Sequence, residues 1–381
     1  MRNILTLILT LVSVVCEAGP RARELGVPFD GAPGPLNAIT DVAGVTVGQV
    51  TLIEDLEGGK KVCTGVTAIL PRGRETLELP VFGGWFAQNG NGEMTGTTWL
   101  EERGMFGGPV LLTNTHSVGI VRDAAIAWRV RQGGADVEGY WWSLPIVAET
   151  WDGHLNDING FHVRAAHVDA ALESAAAGPV EEGNVGGGTG MICHEFKCGI
   201  GTASRRVPFG TREHIVGALV QANYGMRDSL RIAGIPVGGH LREHRVYSED
   251  DPTAGETGSI IVVIATDAPL LPNQLKRIAK RAGMGLARMG SFAGNGSGDI
   301  FIAFSTANPE AAKPTGLPHL GMLPNDRINP IFLATVQATE EAIINAMIAA
   351  ETMKGISGNT VYAIPHDRLR EVLKKYNRLV K

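Results

Sequence analysis

Three short stretches of the 381-residue chain hold residue types that could together do serine chemistry: Gly258-Ser259, GNGSGD at 294–299 and VQANYG at 220–225. A serine nucleophile needs a base, an oxyanion donor and a group that orients the base. Ser259 follows a turn- and acid-rich approach, DDPTAGETG, and opens the apolar run Ile260-Ile261-Val262-Val263-Ile264-Ala265. Two readings are open. Serine is common where a loop becomes a strand. Alternatively the chain is cut between Gly258 and Ser259, and the freed α-amine becomes a base on the nucleophile's own residue. An α-amine titrates near 7.7–8.0, roughly where a general base is useful at neutral pH. Gly258, with no side chain, leaves its carbonyl open to attack by Ser259 and tolerates strain.

Other chemical patterns are weaker. HLREH at 240–244 matches the inverted zinc-protease motif H-x-x-E-H. Zinc needs both histidines on one helical face and a further ligand. The flanks PVGG and RVYSEDDPTAG offer no apolar helical face, so a solvated loop is expected and no metal site. The glycine-rich 183–205 segment lacks Gly-Lys-Ser/Thr and follows no strand, which argues against a nucleotide cradle. Its glycines suit close backbone approach, and no cofactor is expected. There is no G-x-S-x-G elbow. His116, in NTHSVG, reads as a structural histidine at a strand end.

These residues must be held by a scaffold. Strands are expected at 44–53, 65–72, 109–121, 141–150, 214–225, 259–266, 300–307 and 360–364. Helices fit 122–132, 162–178, 272 onward, 329–353 and 366–377, with glycine loops at GNVGGGTGM and GIGTASR. Leu275, Ile278, Ala279, Ala282, Leu286 and Met289 form a buried stripe, and Pro272 suits a first helical turn. Many strands precede the helices, which favours a layered sandwich with helices outside over a doubly wound parallel sheet.

The chain is 44% hydrophobic, long enough for a large core, and its net charge of −5 gives no electrostatic case for nucleic acid. Residues 1–18, MRNILTLILTLVSVVCEA, have an early Arg2, an apolar stretch and a small residue at 18. That pattern predicts a secretory leader with a cut after Ala18, and, with no later segment expected to span a bilayer, a soluble and periplasmic mature protein. A lipoprotein reading through Cys16 is disfavoured by bulky Val15. Cys63, Cys193 and Cys198 then remain, an odd number that argues against a disulfide framework. Cys193 and Cys198 could pair, or could simply be small buried residues.

Nearly the whole chain after the leader resembles the L-aminopeptidase/D-esterase (DmpA-type) and β-aminopeptidase (BapA-type) family of self-processing serine hydrolases, peptidase family S58. The resemblance runs through RARELGVPFDGAPGPLNAITDVAGVTVG, NGNGEMTGTTWLEERG, LTNTHSVGIV, EGNVGGGTGM, LVQANYG, GSIIVVIATDAPL, NGSGD and VQATEEAI. It implies an α+β fold, a four-layer αββα sandwich similar to amine-terminal-nucleophile hydrolases but differently connected. It also implies a precursor cut into 19–258 and 259–381, which stay together as one domain and form homo-oligomers. By position Ser259 resembles the nucleophile, Ser297 and Asp299 the partners orienting amine and hydroxyl, and Asn223 the oxyanion donor. Asp299 stands where some relatives carry Glu, one methylene longer. Trp151 stands where a Tyr can occur; an indole donates but accepts no proton, so Trp151 is read as a pocket wall. The implied substrates are small peptides, amides or esters with an L-α-, β- or D-amino residue at the N-terminus. Two rivals are an acyltransferase of the ornithine acetyltransferase type and a periplasmic small-ligand binding protein in which Ser259 only starts a strand.

Overall fold

The computed structural model describes residues 19–74, 77, 79–133, 141–247, 257–313 and 316–380. The leader expected at 1–18 and the approach 248–256 lie outside them. The first strands are β1 (Thr46–Asp55), β2 (Lys61–Leu70), β3 (Val81–Ala87), β4 (Met105–Phe106), β5 (Val110–Asn114) and β6 (Ile146–Thr150). Among them fall helices α1 (Thr97–Arg103), α2 (Val118–Arg131) and, after β6, α3 (Ala165–Glu173). A small hairpin, β7 (Ile192–Cys193) and β8 (Phe196–Lys197), precedes β9 (Ile200–Phe209), β10 (Arg212–Asn223), β11 (Thr257–Thr266) and β12 (Gly296–Ser305). Helix α4 (Pro272–Arg288) links the last two, and α5 (Asn329–Ile348) and α6 (His366–Lys375) follow.

Among the described residues two large sheets result, β1-β2-β5-β6 and β4-β3-β12-β11-β10-β9, beside the β7–β8 pair and a two-residue pairing of Met353–Lys354 with Thr360–Val361, all that forms of the strand expected at 360–364. The facing sides of the two large sheets share a core in which Ile69, Leu112 and Ala148 meet Leu219, Ile261 and Ile302. Outside the smaller sheet, Val66 and Leu111 pack with Trp128 of α2 and Leu172 of α3. Outside the larger, Ile260, Val262 and Ile264 pack with Leu275 and Ile278 of α4 and Ile343 of α5. Helix, sheet, sheet, helix is the four-layer sandwich the resemblance implies. Strand β11 explains its own composition: odd positions face the second sheet and even positions face the helices, so both faces need apolar side chains.

The amphipathic stripe of α4 is buried as its spacing predicts, with Pro272 in the first turn. Several boundaries differ from expectation. The apolar stretch 109–121 is not one strand: β5 ends at Asn114 and α2 already starts at Val118. GIGTASR, expected as a loop, is the start of β9, whose residues pair with β10 throughout. The segments β3, α1 and the β7–β8 hairpin were not anticipated. Helix α5 is long and apolar enough to cross a membrane by composition, but most of it is buried inside the protein as a core helix.

Candidate active site

The three stretches singled out in the sequence meet at one end of three central strands of the larger sheet. β11 and β12 run parallel because α4 carries the chain back between them, so both strands begin at the same end of the sheet. β10 is antiparallel to β11, so its last residue arrives there too. The register pairs Asn223 with Ser259 and Ser259 with Gly298. Directly opposed residues share a face, so Asn223 and Ser259 project together toward the second sheet. Ser297 and Asp299 alternate to the other face, and Ser297 Oγ donates to Asp299 Oδ1 at 2.6 Å. They lie at the register of Gly258 and Ile260, alongside the backbone nitrogen that a cut would free. Ser297 and Asp299 are essentially solvent-free, and Ser259 is 6% exposed.

Asn223 is fixed from both ends. Its Oδ1 accepts the Ile192 N–H at 2.8 Å, and its Nδ2 donates to the Trp151 carbonyl at 2.8 Å. That assigns the amide orientation and leaves the second Nδ2 proton for the cavity that Asn223 lines. Gly258 has φ of 115°, a region L side chains rarely adopt, and a Cβ there would stand 2.1 Å from the Asn223 carbonyl oxygen. Only glycine fits before Ser259. The 89–93 loop buttresses the 293–299 turn: Asn89 Nδ2 donates to Ala293 and Gly294 carbonyls, Asn91 Nδ2 to Gly296, and the Gln88 N–H to the Asp299 carbonyl.

Ser259 and Asn223 lie in a cavity of about 720 Å³ whose walls include Trp151, Glu149, Thr115, Glu195 and Tyr247. Trp151 follows β6 directly, is 45% exposed and lines this cavity. Glu149 was not anticipated. It is buried at the end of β6, accepting the Glu93 N–H at 2.9 Å on Oε1 and the Thr115 hydroxyl at 2.5 Å on Oε2. Burial pushes its carboxyl pKa up. A buried carboxylate that faces a cavity, with no Lys or Arg ion pair among the described residues, is well suited to receive a ligand's ammonium. Within IVAET, one acid after apolar residues carries no signal that distinguishes it from a strand-end acid.

Behind Asn223 stands the β7–β8 hairpin. Cys193 and Cys198 are joined in a disulfide and Cys63 is free and buried, so the pairing left open by the sequence is made. Lys197 Nζ, fully enclosed, donates to the Met191 and Cys198 carbonyls, and burial lowers its pKa to about 7. Asp152, next to Trp151, is buried and its pKa is raised to about 7 by that burial. The HLREH segment forms no α-helix; His240 meets the Tyr376 hydroxyl and His244 stacks on Tyr362. His116 is exposed and stacks on Phe161.

With this geometry the chain can be compared with known proteins. The model of peptidase family S58 matches residues 37–361. A β-peptidyl aminopeptidase, BapA, of Sphingosinicella microcystinivorans is 54% identical over 97% of this chain and 96% of that protein. The solved L-aminopeptidase D-Ala-esterase/amidase of Ochrobactrum anthropi, described as a variant of the Ntn hydrolase fold, is 51% identical. It superposes with a TM-score of 0.88 over 95% of this chain and all of that one. A β-aminopeptidase from a Burkholderia species is 48% identical, with a TM-score of 0.85 over 93% of this chain and 99% of that one.

Proposed function

The chain belongs to peptidase family S58, a family of aminopeptidase-type hydrolases, and we propose that it is an exported, self-processing serine aminopeptidase that releases an N-terminal residue from small peptides, amides or esters. The observation that carries this reading is the register of Asn223, Ser259 and the Ser297–Asp299 pair across three adjacent strands, with Asn223 and Ser259 lining one cavity and the Ser297–Asp299 pair buried on the opposite face beside the Ser259 backbone nitrogen. In the precursor, Ser259 Oγ attacks the Gly258 carbonyl carbon, the C–N bond breaks, and an ester forms as the amine is freed. Water opens the ester, leaving the Gly258 carboxylate and the Ser259 amine. In turnover, Glu149 holds the substrate's ammonium while Oγ attacks the scissile carbonyl and the Ser259 amine takes the proton. Asn223 Nδ2 receives the developing oxyanion, an interaction worth roughly 3–4 kcal/mol per donor. The leaving amine collects the proton, and water releases the acyl group. Ser297 and Asp299 hold the Ser259 amine in place.

The leader pattern of 1–18 supports export, and the Cys193–Cys198 disulfide suits an oxidising compartment such as the periplasm. Homo-oligomerisation of the processed pieces belongs to the same reading, and the exposed Trp142 and Leu144 beside Trp99 supply an apolar surface for it. The test is a panel of α-L-, β- and D-aminoacyl anilides, each with a free and an N-acetylated amine. Free amines should be hydrolysed and acetylated ones refused. Glu149→Gln should raise KM roughly ten- to a hundredfold, the loss expected for a hydrogen bond to a charged group. Equal hydrolysis of acetylated and free substrates would remove Glu149 from this role.

A further inference from the structure

The β7–β8 hairpin turns through His194 and Glu195, whose φ values of 48° and 61° are left-handed in two residues that are not glycine. Such strain persists where the surroundings over-determine it and clusters at functional sites. Here Arg227, fully buried, donates from Nε to the His194 carbonyl at 2.9 Å and from Nη2 to the Glu195 carbonyl at 2.6 Å, and the disulfide spans the base. The turn delivers the Glu195 carboxylate, 3% exposed, to a segment fifty residues away. It accepts Arg245 Nη2 at 3.0 Å, the Val246 N–H at 3.2 Å and the Tyr247 N–H at 3.5 Å. Both Glu195 and Tyr247 line the cavity that holds Ser259.

The side of the cavity matters. Glu149 is tied to the loop after β3 through the Glu93 N–H, and β3 and β12 lie on one side of β11. Glu195, which holds Tyr247, sits in the hairpin whose His194 N–H donates to the Tyr224 carbonyl at 2.7 Å, and Tyr224 continues β10 on the other side. A substrate whose ammonium sits at Glu149 and whose carbonyl sits over Ser259 therefore sends its leaving group toward Tyr247.

We propose that Tyr247, clamped by Glu195, forms a leaving-group subsite for aromatic or apolar amines, with the ring of His154 against its edge at 6.5 Å between centroids. The inference rests on the aminopeptidase reading. Because Tyr247 precedes the cut, Glu195 keeps it at the site after processing.

The experiment measures kcat/KM for one aminoacyl group as its anilide and as its simple amide. Tyr247→Ala and Tyr247→Leu should lower the anilide-to-amide ratio about three- to tenfold, mainly through KM, the size expected for loss of an aromatic pair. Tyr247→Phe should keep the ratio, and Glu195→Gln should lower it. An unchanged ratio in both Tyr247→Ala and Tyr247→Leu overturns the proposal. So does a changed preference between α- and β-aminoacyl groups on a common leaving group, because Tyr247 would then lie on the acyl side. Failure of the wild type to hydrolyse either substrate would instead defeat the aminopeptidase reading.

Discussion

Asn223→Ala separates orientation from mere packing at this site. The substitution removes the one side-chain amide that the register sets opposite Ser259. Loss of one oxyanion donor costs roughly a hundred- to a thousandfold in kcat, about 2.7–4 kcal/mol. It also strips the Ile192 N–H and the Trp151 carbonyl of their partners, both held at 2.8 Å. A buried polar group left unpaired costs about 1–3 kcal/mol, so the thermal midpoint should fall as well. Asn223→Asp tells the two effects apart. It keeps an acceptor for Ile192 but places negative charge where the oxyanion develops and against the Trp151 carbonyl. Its kcat should fall at least as far as that of the alanine variant, with a smaller loss of thermal stability on the Ile192 side. The assay is steady-state hydrolysis of an aminoacyl anilide, normalised to the amount of cut chain seen on a denaturing gel. KM should stay within about threefold, because the donor acts on the transition state and not on bound substrate. A fully cut Asn223→Ala protein with kcat within tenfold of wild type would refute the assignment.

Trp151→Tyr should alter the ranking among aminoacyl amides while turnover persists; a fixed ranking with collapsed turnover would make the indole part of the chemistry. Asp152 gives a pH signature. Its folded pKa of about 7 lies above the ordinary 3.8, so the native state holds the extra proton between them. Its contribution to stability is therefore greatest at low pH and is lost as pH rises from about 4 to 7, on the order of 4 kcal/mol at about 1.4 per unit. Asp152→Asn should flatten that slope in a series of thermal melts, and a slope equal to wild type would contradict the burial argument. Dialysis against a strong chelator should leave hydrolysis unchanged, since a serine–amine mechanism needs no Lewis acid. Loss of activity restored by zinc would reopen the metal reading of HLREH.

The parts of the site that were legible in the sequence are those whose local pattern is unusual. A hydroxyl at the head of a run apolar on both faces is one, and β11 bears it out by packing Ile260 against helices and Ile261 against the second sheet. The stripe of α4 is another, because its 3.6-residue period survives in the folded helix. A layered sandwich with helices outside followed from the order of elements, and the four layers followed from the resemblance. Glu149 and Glu195 were not legible because their roles come from long-range partners: a strand-end acid and a hairpin-turn acid look ordinary until Glu93, Thr115 and Arg245 are brought to them. Strand β9 was hidden by glycine and arginine. Gly201 is needed because Ala342 of α5 packs directly on it, and Arg205 is buried in an ion pair with Glu341. The start of α2 was lost because VGIV satisfies a strand pattern as well as a helical one.

Intact-mass measurement of the purified protein tests the central claim most directly. Wild type should yield two masses, one of them beginning at Ser259, and Ser259→Ala should yield a single uncut, inactive chain. Activity of the cut protein should fall as pH drops through the α-amine's titration near 7.7–8.0, roughly where the base becomes protonated. An alanine variant still cut at that bond, or an uncut wild type with full activity, would contradict the account.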